Sequence, residues 1–160
     1  MTTYKTGLRV APLLLALMLS VNSALARAQP PLEVAQQMVA AWEAVDLDRV
    51  VELFAEDGVL HSMMGEPVVG RAAIRSRLGP MFAGIEQLEL SLRNVVVRDN
   101  TVFLERVDKF VFRGKSGAVP VVGVLEIEDG RVKVWREYYD RAELFAEMGL
   151  PLPEAEETAD

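Results

Sequence analysis

Residues 101–112 read Thr-Val-Phe-Leu-Glu-Arg-Val-Asp-Lys-Phe-Val-Phe, an apolar run interrupted by charge. Strand side chains alternate between faces, so Val102, Leu104, Arg106, Asp108, Phe110 and Phe112 share one face. Arg106 and Asp108 then stand in an apolar row, where charge is costly unless paired. A later strand repeats the pattern, with Lys133, Trp135, Glu137 and Tyr139 on one face and Glu137 between two aromatics. If both faces meet one cavity, two carboxylates and one guanidinium converge in apolar surroundings. Such a site can separate the two carboxyl pKa values, keeping one protonated as an acid and one ionised as a base. Arg106 between them would orient both and steady developing negative charge. The same residues also fit a plain cross-strand ion pair, because carboxylates are perturbed in structural networks too.

The composition limits what else the chain can do. It has 160 residues, 51% hydrophobic and 26% charged, which fits one globular domain. Cysteine is absent and histidine occurs once, at His61. Disulfides, thiolate metal sites, cysteine nucleophiles and multi-histidine metal cages are thereby excluded, and no metal or cofactor is expected. A formal charge of −7 does not suit a nucleic-acid binder, which needs a basic face against phosphates.

Residues 1–28 read as an address. Lys5 and Arg9 precede an apolar run from Val10 to Val21, and Ala24-Leu25-Ala26 or Ala26-Arg27-Ala28 offers a cleavage site. This is the pattern of a secretory signal peptide, too short for a bilayer span of about 20 residues. A periplasmic or secreted protein, free of the membrane once cut, is expected. Residues 29–153 then form one domain, and the acidic stretch 154–160 is expected to be disordered.

The elements that must position the charged residues follow in α+β order. Leu32, Ala35, Val39 and Trp42 recur at helical spacing behind Pro30 and Pro31. Asp46 or Asp48 caps a short helix carrying Val50, Val51, Leu53 and Phe54 and ended by Asp57-Gly58. The pattern predicts a strand over Val59 to Met63, a loop over Gly65 to Gly70, and a helix from Arg71 to Leu78 stopped by Gly79-Pro80. Four strands follow, over Leu88 to Val97, Thr101 to Phe112, Val119 to Ile127 and Val132 to Tyr139. Asp99-Asn100, Gly114 to Gly117 and Asp129-Gly130 separate them as turns. A last helix is expected over Arg141 to Met148. A curved sheet with helices over its concave face would leave a cone-shaped apolar pocket.

On these residues the chain resembles the limonene-1,2-epoxide hydrolase family, within the nuclear-transport-factor-2-like, or SnoaL-like, folds. The resemblance rests on Phe54-Ala-Glu-Asp57, Gly70-Arg71, Glu105-Arg-Val-Asp108, Gly114-Lys-Ser116, Gly123-Val124, Glu128-Asp-Gly130, Trp135-Arg-Glu-Tyr-Tyr-Asp140 and Leu150-Pro-Leu152. It implies a curved mixed sheet around a deep apolar pocket, commonly in a homodimer. It further implies one-step, metal-free attack of water on an epoxide. By it, Asp108 falls on the acid, Arg106 on the bridge and Glu137, where the family has aspartate, on the base. Leu60 stands where a water-holding tyrosine is expected, and Ser62 where an asparagine is expected. His61 alternates with both and should face away. Resemblance and alternation together give the substrate-binding lining as Val39, Trp42, Leu60, Met81, Ile85, Leu90, Phe110, Val119, Val121, Tyr139, Leu144 and Leu152. Such a lining suits an apolar substrate, the epoxide of a terpene, steroid or lipid, together with water.

Two other functions fit the same pattern. Leu60 weakens the water site, which favours a non-catalytic binder of an apolar molecule. A lone acid–base carboxylate in an apolar pocket also suits an isomerase or cyclase that abstracts a proton next to a carbonyl.

Overall fold

The computed structural model describes residues 29–152. The expected signal peptide, residues 1–28, and the expected acidic tail, residues 154–160, lie outside the described residues. Helix α1 (Pro31–Glu43) enters on Pro30 and Pro31, whose missing N–H groups cost nothing in a first turn. Helix α2 (Leu47–Leu53) is capped by Asp46, which accepts from the Arg49 backbone N–H at 2.9 Å. Strands β1 (Phe54–Ser62) and β2 (Val68–Val69) follow, then helix α3 (Arg71–Phe82). Strands β3 (Ile85–Arg98), β4 (Thr101–Phe112), β5 (Lys115–Glu128) and β6 (Arg131–Tyr138) form a meander, and helix α4 (Arg141–Met148) closes the fold.

The six strands make one sheet in the order β2-β1-β6-β5-β4-β3. Strand β1 runs parallel to β6 and the other pairs are antiparallel, so the sheet is mixed. Two-residue turns at Arg113-Gly114 and Asp129-Gly130 have positive φ at both residues, which matches the twist of the strands they join. The first of these turns is shorter than the expected Gly114 to Gly117, because β5 already pairs at Lys115. Helix α1 lies across the inner face of β3 to β6, and α4 covers the start of β5.

Five expectations, four at element boundaries and one on a strand face, are corrected. Phe54 does not belong to α2, and Asp57-Gly58 does not end a helix. Both lie in β1, which bulges between Phe54 and Val59. Phe54 is extended and pairs with Val132 on β6, and at long range Arg71 holds it there, its Nε and Nη2 donating to the Phe54 carbonyl at 2.8 and 2.6 Å. The segment from Gly65 to Gly70 is not all loop, because Val68 and Val69 pair with Leu60 and Val59. Helix α3 does not stop at Gly79-Pro80 but runs to Phe82. Gly79 has no Cβ to meet the Pro80 ring, and the buried Phe82 side chain repays the lost hydrogen bond. Finally, Lys133 does not share a face with Trp135. The register shifts between Glu126 and Ile127, so Val132 and Trp135 face inward while Lys133 pairs with Asp57.

Burial along β4 follows the alternation. Val102, Leu104, Arg106, Phe110 and Phe112 are buried, while Phe103, Glu105 and Lys109 are exposed. The core divides into two clusters. One joins α1, α2 and α3 to Val102, Leu104, Leu125 and Trp135. The other gathers Phe110, Phe112, Val119 and Val121 under α4. Arg106 and Asp108 fall between them in sequence along β4, opposite Val121 and Val119 of the second cluster.

Candidate active site

Arg106 is the one charged residue among the buried ones described, at 3% exposure. Its Nε and Nη2 donate to the two oxygens of Asp108 at 2.7 and 3.1 Å, and Nη2 also donates to Glu137 Oε2 at 2.7 Å. Asp108 lies two residues along the same strand. Glu137 lies on β6, with β5 between. Adjacent strands are about 4.8 Å apart, so the guanidinium must cross about 10 Å of sheet.

Gly123 on β5 makes that crossing possible. It pairs with Leu104 on one side and Glu137 on the other. A Cβ there would stand 2.5 Å from Arg106 Nη1 and 3.0 Å from both Glu137 Oε1 and Trp135 Nε1. Glycine is required here for space. Trp135 forms the floor, with the Arg106 guanidinium 5.9 Å over its ring. Trp42 meets Trp135 edge-on at 5.6 Å, and Phe54 stacks on Trp135 at 6.2 Å.

The electrostatics follow from burial. Burial works against the charge of Arg106, but Glu137 and Asp108 more than offset it, and its pKa stands above the ordinary value. Burial pushes the Glu137 carboxyl up to about 7, with Arg106 pulling the other way. Burial also raises Asp108, again partly offset by Arg106. One cation therefore serves two carboxyls, and near neutral pH the pair retains a proton. An acid and a base held on one guanidinium can take a proton at one end and give one at the other.

Ser62 pairs in register with Glu137 on the parallel neighbour β1, and its Oγ lies 2.9 Å from Tyr139 Oη. Leu60 is buried in the first cluster and offers no polar atom. His61 turns the other way and meets the Gly65 carbonyl oxygen at 3.0 Å, as the alternation requires. Val39, Leu60 and Leu90 are buried in the first cluster, with Trp42 and Met81 packed against it. Phe110, Val119 and Val121 are buried in the second, with Ile85, Tyr139 and Leu144 against it. Leu152 is a correction: it is 54% exposed and lines nothing. The left-handed Gly149 ends α4, and Leu150 packs on the second cluster instead. The sequence reading missed Gly123 and the Ser62–Tyr139 bond. The first had a signal, since an arginine that reaches over a neighbouring strand needs a residue without a side chain there.

A family model described as a SnoaL-like domain matches residues 35–135. Epoxide hydrolase LasB of Streptomyces lasalocidi is 36% identical over 113 residues, 65% of this chain and 39% of that protein, so the chain spans about two fifths of that relative's length. An LEH-like epoxide hydrolase of M. tuberculosis superposes with a TM-score of 0.65 at 22% identity, over 74% of this chain and 89% of that one. A protein of ketosteroid isomerase-like fold from Catenulispora acidiphila superposes with a TM-score of 0.66 at 24% identity, over 75% and 95%.

Two outcomes are expected from the geometry. The folded protein keeps a proton on Glu137 up to about pH 7, whereas an exposed glutamate releases it near 4.5. Folded molecules thus bind more protons than unfolded ones in that window, and stability falls as pH rises through it. Melting temperatures measured from about pH 5 to about pH 8 should decline, and Glu137→Gln should flatten the slope. In Gly123→Ala the methyl group displaces Arg106 from Glu137. The expected cost is about 1–3 kcal/mol by urea unfolding, and carbon-13 titration should show the Glu137 carboxyl holding its proton to higher pH.

Proposed function

Because the chain belongs to the SnoaL-like domain family, on the nuclear-transport-factor-2-like fold, we propose that it hydrolyses an apolar epoxide to a vicinal diol by one-step acid–base attack of water. The observation that carries this reading is the Asp108–Arg106–Glu137 bridge set between two apolar clusters. The 36% identity to an epoxide hydrolase supports the reaction class. The apolar walls suit the epoxide of a terpene, steroid or lipid.

Glu137 takes a proton from water as the water oxygen attacks one epoxide carbon. The carbon–oxygen bond breaks, and Asp108 gives its proton to the departing oxygen. One proton is received and one released, so the pair ends with the number it began with. Burial by itself favours the proton on Glu137. Substrate reverses this, because an epoxide oxygen accepts from a protonated Asp108 and a water donates to an ionised Glu137. Arg106 touches both carboxyls throughout and needs no rearrangement when the proton changes side.

A second reading, proton abstraction by an isomerase or cyclase, is favoured by one observation. A buried glutamate with a carboxyl pKa of about 7 is also a suitable base next to a carbonyl.

A homodimer belongs to the same proposal. Val96, Phe103, Val122 and Tyr138 share the outer face of the sheet and are 39–56% exposed. A second copy would cover that apolar strip.

Incubation of the protein with apolar epoxides in oxygen-18 water should give a singly labelled diol, and Asp108→Asn should lower the rate by about 100-fold or more. The rate should fall on the alkaline side with a midpoint near 7, as the pair loses the proton it must donate. Exchange of substrate hydrogen in deuterated water without hydration would favour the isomerase reading. Sedimentation should show a dimer that Phe103→Glu converts to a monomer.

A further inference from the structure

Hydrolysis needs more than a base: the attacking water must be held so that a lone pair points at the substrate. Leu60 supplies no group for this, and two hydroxyls beside Glu137 in the backbone come from β1 and from the residue after β6. Ser62 lies on β1 beside Glu137, and the Met63 N–H donates to the Glu137 carbonyl at 3.0 Å, which fixes the two backbones together. Tyr139 follows Glu137 by two residues, its ring packed against the second cluster. The two hydroxyls meet at 2.9 Å. One hydrogen bond between two hydroxyls uses one proton and one lone pair. It leaves one O–H and several lone pairs for a third partner. Glu137 has capacity too: Oε1 is buried and has no hydrogen-bond partner among the described residues.

We propose that Ser62 and Tyr139 together hold a water against the Glu137 carboxylate. Ser62 Oγ accepts one water proton while Glu137 accepts the other. Tyr139 acts as a positioning residue, fixing the Ser62 hydroxyl through their shared hydrogen bond. The inference rests on the epoxide-hydrolase reading for its role in turnover, but the water site itself does not. A tyrosine just past the end of β6 and a serine at the end of β1 thus do the work that Leu60 cannot.

Two measurements test this. High-resolution crystal structures of the protein, Ser62→Ala and Tyr139→Phe should show a water within hydrogen-bond distance of Ser62 Oγ and Glu137 in the first. It should be gone from Ser62→Ala and displaced or gone from Tyr139→Phe. On an apolar epoxide that the protein hydrolyses, Tyr139→Phe should lower kcat about tenfold with KM unchanged, the loss of about one hydrogen bond. Ser62→Ala should lose at least as much, and the double variant no more than Ser62→Ala alone, because the two act as one unit. Absence of the water from the wild-type structure, unchanged kcat in Tyr139→Phe, or fully additive losses would overturn the proposal. A water in place with no diol from any epoxide would overturn the hydrolase reading and leave the site standing. Diol formation without that water would do the reverse.

Discussion

A guanidinium that water cannot reach has to be neutralised where it stands, and Arg106 is such a group. Leaving it unpaired would cost several kcal/mol, a large part of what holds a domain of this size together. Asp108 meets it with both oxygens and Glu137 with one. Much of the local architecture serves that pairing. The inner face of β4 passes from apolar to charged and back to apolar within six alternate residues, so the charged layer is closed off by packed side chains at both ends. The aromatic floor of Trp135, Trp42 and Phe54 adds a polarisable surface beneath the cation.

The charge count then creates the chemistry. One cation cannot neutralise two half-buried carboxylates, so the pair keeps a proton to about neutral pH. The structure does not dedicate one carboxyl permanently to each state. It supplies one bridge, the Arg106 guanidinium, in contact with both. The same burial that raises the carboxyls makes the folded state less favourable in alkaline solution, which ties stability to their protonation.

Much of this was legible in the residues. The alternation of residues 101–112 placed Arg106 and Asp108 inside, and the position of Glu137 between Trp135 and Tyr139 marked the second carboxyl. The α+β order and the turns at Asp99-Asn100 and Asp129-Gly130 were likewise visible. Long-range contacts set what was not. Phe54 reads as helical until Arg71, 17 residues on, takes its carbonyl. Lys133 reads as inward until a register shift against β5 sets it aside. Gly79-Pro80 reads as a stop until the burial of Phe82 outweighs it. Gly123 and the Ser62–Tyr139 contact depend on which strands are neighbours, and a single sequence does not state that.

Gly123 also sets a length. The two carboxylates stand on alternate strands, joined by one side chain laid across the strand between, so their separation is fixed by the pitch of a β-sheet. That distance is thus a property of the hydrogen-bonded backbone itself, independent of the loops and helices around it.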